Sequence, residues 1–201
     1  MSDVLIPGGR DVRGTLEEPT DDPDAIVVAA PPHPRHGGSR SDPRLAAVAT
    51  ALREAGIACL RFDYGPWDEG YGEREDVRNA VRWAREEYDC PVGVFGYSFG
   101  ASLALLAAAD VGPDAVAVLA PTARLADDLD AVDALESLED GTPVRVLYGE
   151  RDETVDWEPV VDRARERGDA VTALTGDHFF LGKHDAIASE VATFFADALR
   201  S

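Results

Sequence analysis

The chain has one lysine, Lys183, among its 201 residues. Its 19 basic side chains face 39 acidic ones, for a formal net charge of −20. Phosphate backbones are recognised by basic surfaces, so the balance argues against nucleic acid as a partner. The acid is scattered (Glu17-Glu18, Asp21-Asp22, Glu86-Glu87, Asp127-Asp128) and not gathered in a tail, which reads as a property of the whole surface and not as a binding site. Asp-rich, lysine-poor chains resemble those of salt-loving microbes. In their cytoplasm the Debye length falls to about 3 Å or less, so self-repulsion is screened and charge does little to steer substrates. Stability is therefore expected to rise with KCl.

Long apolar runs are also lacking. Nothing approaches the roughly 20 residues that span a bilayer, and the Ala/Leu run after Ser98 stops at Asp110. No basic stretch followed by an apolar core opens the chain, as a signal peptide would. The expectation is a cytoplasmic protein with no membrane association. Cysteine is scarce. Cys59 and Cys90 form neither a disulfide framework nor a set with metal-ligand spacing, and both read as structural thiols in a reducing compartment. No cofactor and no metal are expected. His33 and His36 are spaced like a metal pair, but no third ligand with fitting spacing accompanies them. The length suits one domain over residues 1–201.

What the chain does have is alternation of strand and helix signals. Val4–Ile6 and Val12–Leu16 suggest an antiparallel edge hairpin. Ala25–Ala30, Ile57–Phe62, Val92–Phe95, Ala115–Leu119, Val144–Tyr148 and Ala170–Leu174 read as buried strands. Helices are predicted from Pro43 to about Glu54, Glu73 to Tyr88, Ala101 to Ala109, Leu125 to Leu138, Glu158 to Glu166 and Asp185 to Leu199, with Asp42-Pro43 a cap and first-turn signal. The pattern predicts an α/β fold: a mostly parallel central sheet, an antiparallel N-terminal edge, helices on both faces and no insertion large enough for a lid domain.

The chemistry centres on Gly96-Tyr97-Ser98-Phe99-Gly100. Between a strand and a helix, Gly-x-Ser-x-Gly reads as a sharp turn that projects a serine hydroxyl off the sheet. A hydroxyl needs a base to take its proton, and the base needs a third group to orient it. Asp152 lies just beyond the strand ending at Tyr148, and His178 just beyond the last strand, so the candidates run Ser98, Asp152, His178 along the chain. Glu150, Glu153 and Asp156 are alternative acids, and His33, His36 and His184 alternative bases, with His184 starting the last helix. A developing oxyanion needs two donors. The Phe99 amide follows the nucleophile. The loop Pro31 to Ser39 is placed to supply the other, where Pro34 has no N–H and Arg35 is the best-placed amide. Tyr97, His33 and Trp67 are candidates for the substrate wall, Trp67 within the Gly/aromatic loop Asp63–Gly72.

These residues converge on a family. The PHP..GGS run at Pro32–Ser39, LRF at Leu60–Phe62, G.GE..D at Gly70–Asp76, GYSFGA at Gly96–Ala101, G.RD at Gly149–Asp152 and DHFF.G at Asp177–Gly182 resemble the small, lidless α/β-hydrolases related to dienelactone hydrolase. The resemblance implies the α/β-hydrolase fold, with Ser98, Asp152 and His178 as nucleophile, acid and base. Dienelactone hydrolase itself uses a cysteine where this chain has Ser98, and relatives often carry an Asn-Phe-Arg-Gly-like run where this chain has Asp63-Tyr64-Gly65-Pro66. The expected activity is hydrolysis of a small-molecule carboxylic ester or thioester. A peptidase or amidase with the same triad, and a non-catalytic binding protein of the same fold, are the alternatives. The residues say nothing of oligomeric state.

Overall fold

Every position of Ala25–Ala30 is apolar and wholly buried. Such a strand needs cover on both faces. Ile26, Val28 and Ala30 enter one core, while Ala25, Val27 and Ala29 enter the other, as the two-residue period of a strand requires. The computed structural model describes residues 1–200. Its strands are β1 (Ser2–Ile6), β2 (Val12–Glu17), β3 (Ala25–Ala30), β4 (Ile57–Asp63), β5 (Val92–Tyr97), β6 (Ala115–Leu119), β7 (Arg124–Ala126), β8 (Leu129–Asp130), β9 (Val144–Gly149) and β10 (Ala170–Leu174). Eight of them form one sheet in the order β1-β2-β4-β3-β5-β6-β9-β10. The β1–β2 and β2–β4 pairings are antiparallel and every other pairing in that sheet is parallel. The expected antiparallel N-terminal edge on a parallel sheet is thus observed.

The helices are α1 (Pro43–Glu54), α2 (Tyr71–Glu87), α3 (Phe99–Val111), α4 (Ala131–Glu136), α5 (Glu158–Arg167) and α6 (His184–Leu199). Helices α1 and α6 cover one face of the sheet, and α2, α3, α4 and α5 the other. Phe62, Phe95, Phe180 and Phe195 are fully buried, each contributing about 1.5–3 kcal/mol through lost water contact. Helix α3 is buried at ten consecutive positions, Phe99–Ala108, so it runs as a central rod beneath the sheet. No lid domain is inserted among the described residues, and no helix among them is long and apolar enough to cross a membrane.

One element differs from expectation. Residues 125–138 were predicted as a continuous helix, but the structure has the small hairpin β7–β8 followed by the short α4. Asp130 is the cause. Its carboxylate accepts the Val132 and Asp133 amides at 2.9 and 3.1 Å and caps α4, and it also receives the Arg124 guanidinium from across the hairpin. Aspartate favours caps over helix interiors because it competes for nearby backbone donors.

Both thiols are free. Cys59 is buried, and burial pushes its thiol up to about 12, which leaves it unreactive at neutral pH. Cys90 is only half-buried.

Candidate active site

Strand β5 ends at Tyr97 and α3 begins at Phe99, so the chain reverses at Ser98 alone. Ser98 adopts φ 56° and ψ −118°, a conformation that costs a non-glycine residue free energy and persists only where its surroundings enforce it. Two close approaches enforce it here. A Cβ on Gly96 would lie 2.2 Å from the Gly100 carbonyl oxygen, and one on Gly100 would lie 2.3 Å from that of Ala30. The first turn of α3 is thereby drawn against the end of β3 and its loop. The Ser98 amide donates to the Leu119 carbonyl at 2.8 Å. The Phe99 amide opens the helix, where the first N–H groups have no intrahelical partner.

The sheet brings two more loops to the same edge. Ser98 Oγ lies 2.9 Å from His178 Nε2, and His178 Nδ1 lies 2.7 Å from Asp152 Oδ2. Asp152 and His178 are each about 6% exposed, so these contacts form in a largely water-free setting. The other Asp152 oxygen accepts the Thr154 amide at 2.9 Å, and Trp157 Nε1 donates to the Asp152 carbonyl at 3.0 Å. The two loops are also bonded to one another, through Glu150 N–H to the Leu174 carbonyl and Arg151 N–H to the Gly176 carbonyl, each at 3.0 Å. Gly149 permits this, because a Cβ there would lie 2.8 Å from the Gly176 oxygen. The alternative acids Glu150, Glu153 and Asp156 are exposed, and His184 is the first residue of α6.

A cleft of about 620 Å³ opens over Ser98, walled by Pro32, His33, Thr122, Leu125, Val155 and Phe179. Asp42 is the one carboxylate on its wall, and it is taken up by Arg44. A chain of net charge −20 thus keeps free acid off this surface.

The loop after β3 departs from expectation in one respect. Pro34–His36 forms a single 3₁₀ turn capped by His33, and the Arg35 amide donates to His33 Nδ1 at 3.2 Å. The amide expected to serve as second oxyanion donor is therefore already engaged. Pro32 and Pro34 have no N–H, and the Arg35 guanidinium sits over the Trp67 ring at 5.8 Å. The His33 amide has no hydrogen-bond partner among the described residues.

The His33 ring is packed between His36 at 4.4 Å, Trp67 at 4.7 Å and Phe99 at 4.7 Å. Partial burial, then the charges of His36 and Arg35, hold it below the usual imidazole range, so it stays neutral and keeps Nδ1 as an acceptor at neutral pH. Trp67 does not line the cleft; it backs His33 and Phe99. Tyr97 lines the floor with its ring, but its hydroxyl donates to the His178 carbonyl at 2.9 Å. Burial pushes that phenol up to about 12. Asp42 and Arg44 also border the cleft, and the only local sequence signal for either is the Asp-Pro cap of α1.

Comparison with solved structures places the fold. An α/β serine hydrolase homologue from Coxiella burnetii superposes with a TM-score of 0.80 at 25% identity, covering 96% of both chains. A lidless α/β serine hydrolase from Xanthomonas campestris gives 0.83 at 25% identity, over 100% of this chain and 95% of that one. The chain folds as a lidless α/β-hydrolase. Among structures of that fold, a dienelactone hydrolase from Anabaena variabilis matches with a TM-score of 0.77 at 23% identity, over 99% of this chain and 98% of that one. A scan against protein-family models finds no match, and a search of curated proteins finds none either. The cleft over Ser98 lies beyond the carboxyl ends of the parallel strands, at the end of the central strand β5.

Proposed function

We propose that this chain is a serine hydrolase that cleaves a carboxylic ester or thioester through an acyl-enzyme. One observation carries the reading: side chains from three separate loops form the unbroken relay Ser98 Oγ, His178, Asp152 at 2.9 and 2.7 Å. His178 Nε2 takes the Ser98 proton as Oγ attacks the carbonyl carbon. Asp152 holds the tautomer with Nδ1 protonated and stabilises the imidazolium that forms. The tetrahedral oxyanion is held by two backbone amides, that of Phe99 and that of His33, which takes the place expected for Arg35. His178 then gives its proton to the departing alcohol or thiol. Water, deprotonated by the same nitrogen, attacks the acyl-enzyme and regenerates Ser98.

The neighbours described as serine hydrolases support this class of chemistry. The apolar wall of Leu125 and Val155 suits a short acyl chain, since the cleft has no lid to enclose a long one. Hydrolysis of p-nitrophenyl acetate and butyrate by the wild type and Ser98→Ala tests the proposal. Turnover should drop by about 10³-fold or more in the variant. Equal turnover in the two proteins rejects Ser98 as the nucleophile.

A further inference from the structure

We propose that Tyr97 and Arg44 are positioning residues that lock the His178 loop onto the nucleophile strand. The proposal rests on the hydrolase reading above and adds what keeps its base in place.

The His178 loop is in need of anchorage. It follows β10, the outermost strand, whose residues are half-buried or exposed. Phe179 is 55% exposed and Leu181 80%. Between them Phe180 turns inward with φ 52°, and its ring is fully buried. The buried ring and the Gly176 carbonyl, which accepts the Arg151 amide, fix where the loop attaches. They do not fix the rotation of the backbone at His178, on which the 2.9 Å approach to Ser98 depends.

Two donors fix that rotation. Tyr97 is the last residue of β5 and shares with Phe95 the face covered by α1 and α6. Its hydroxyl donates to the His178 carbonyl at 2.9 Å, and its ring stacks on the His178 imidazole at 5.6 Å and 30°. Arg44 Nη1 donates to the next carbonyl, that of Phe179, at 2.8 Å. The Arg44 guanidinium lies 4.5 Å above the Tyr97 ring. Asp42, the cap of α1, orients it by accepting Nε at 2.8 Å and pairing with Nη2. Planar, forked and ion-paired, this arginine is held as a strut, a geometry that lysine cannot reproduce. The residue immediately before the nucleophile therefore carries the base. A shift of β5 moves Ser98 and His178 together, so their separation is preserved.

The test is Tyr97→Phe, which removes one oxygen and keeps the ring in the core. With four histidines in the chain, the His178 Nδ1 proton is assignable by NMR, and its exchange with water reports loop opening without any substrate. In Tyr97→Phe that exchange should quicken by about tenfold, because a buried carbonyl has lost its donor. The kcat for ester hydrolysis should fall by about tenfold with KM little changed. Arg44→Met, which keeps the stem and removes the donor, should act the same way. Wild-type exchange and kcat in Tyr97→Phe would overturn the proposal, as would a lowered melting temperature with both quantities unmoved. Absence of Ser98-dependent turnover in the wild type would overturn the hydrolase reading instead, and the exchange rate would still decide whether Tyr97 holds the loop.

Discussion

Replacing Gly100 with alanine should pull apart the Phe99 and His33 amides, the two donors proposed for the oxyanion. The added Cβ would lie 2.3 Å from the Ala30 carbonyl oxygen and 2.4 Å from that of Pro31. Both atoms are backbone, one in a central strand and the other at the start of the His33 loop, so neither can swing away. Ordinary contact begins near 3.4 Å, and relief therefore requires the start of α3 and the loop to separate by about 1.1 Å. Phe99 leads α3, and His33 lies two residues beyond Pro31, so the separation falls directly between their amides. A misplacement of about 1 Å in a catalytic group costs about 10²-fold in rate, and overpacking of this kind costs about 1–3 kcal/mol of stability. The assay is kcat and KM for p-nitrophenyl butyrate, measured well below the melting temperature of the variant. The control is Gly176→Ala, two residues from His178, where the nearest atom would be 3.9 Å from the new Cβ. It should retain wild-type kcat. A folded Gly100→Ala enzyme within about twofold of wild-type kcat would refute the placement of the oxyanion site.

Other consequences follow from the same physical picture. Glu73 is fully buried, and its two oxygens accept the Asp68 and Gly70 amides at 2.8 Å each. Glu73→Ala leaves both donors unpaired and should cost about 2–4 kcal/mol in urea denaturation; a loss near zero would show that the Trp67 loop is held by other means. At a net charge of −20, the melting temperature should climb between ~0.1 and ~2 M KCl as repulsion is screened, and a flat profile would reject surface repulsion as a limit on stability. The Tyr97 phenol titrates near 12 in the folded protein, above its ordinary value of about 10 in the unfolded chain. The native state thus holds its proton more tightly, and the stability tied to it is full below pH ~10 and lost as pH rises through ~12. Wild type should lose more stability than Tyr97→Phe across that window, and parallel losses would contradict the burial of the hydroxyl.

Much of this architecture was legible in the chain because the signals were local and strong. The apolar run Ala25–Ala30 could be little other than a strand buried on both faces, and GYSFG sat between a strand and a helix as a reversal at serine requires. The order Ser98, Asp152, His178 was readable because each residue followed a strand. The failures occurred where contacts distant in sequence decide. Apolar spacing in residues 125–138 read as a helix until the Asp130 cap and its Arg124 partner divided it. In the His33 loop, counting prolines left Arg35 as a donor. The His33 ring, however, folds back onto that very amide. Arg44 meets Phe179 across 135 residues, a contact no local pattern encodes.

The central claim is that Ser98 becomes acylated with His178 as its base. Reaction with a fluorophosphonate, located by peptide mass spectrometry, addresses it directly. The label should appear on the peptide containing Ser98, vanish in Ser98→Ala and form far more slowly in His178→Ala. Label on another residue, or equal labelling of all three proteins, would contradict the account.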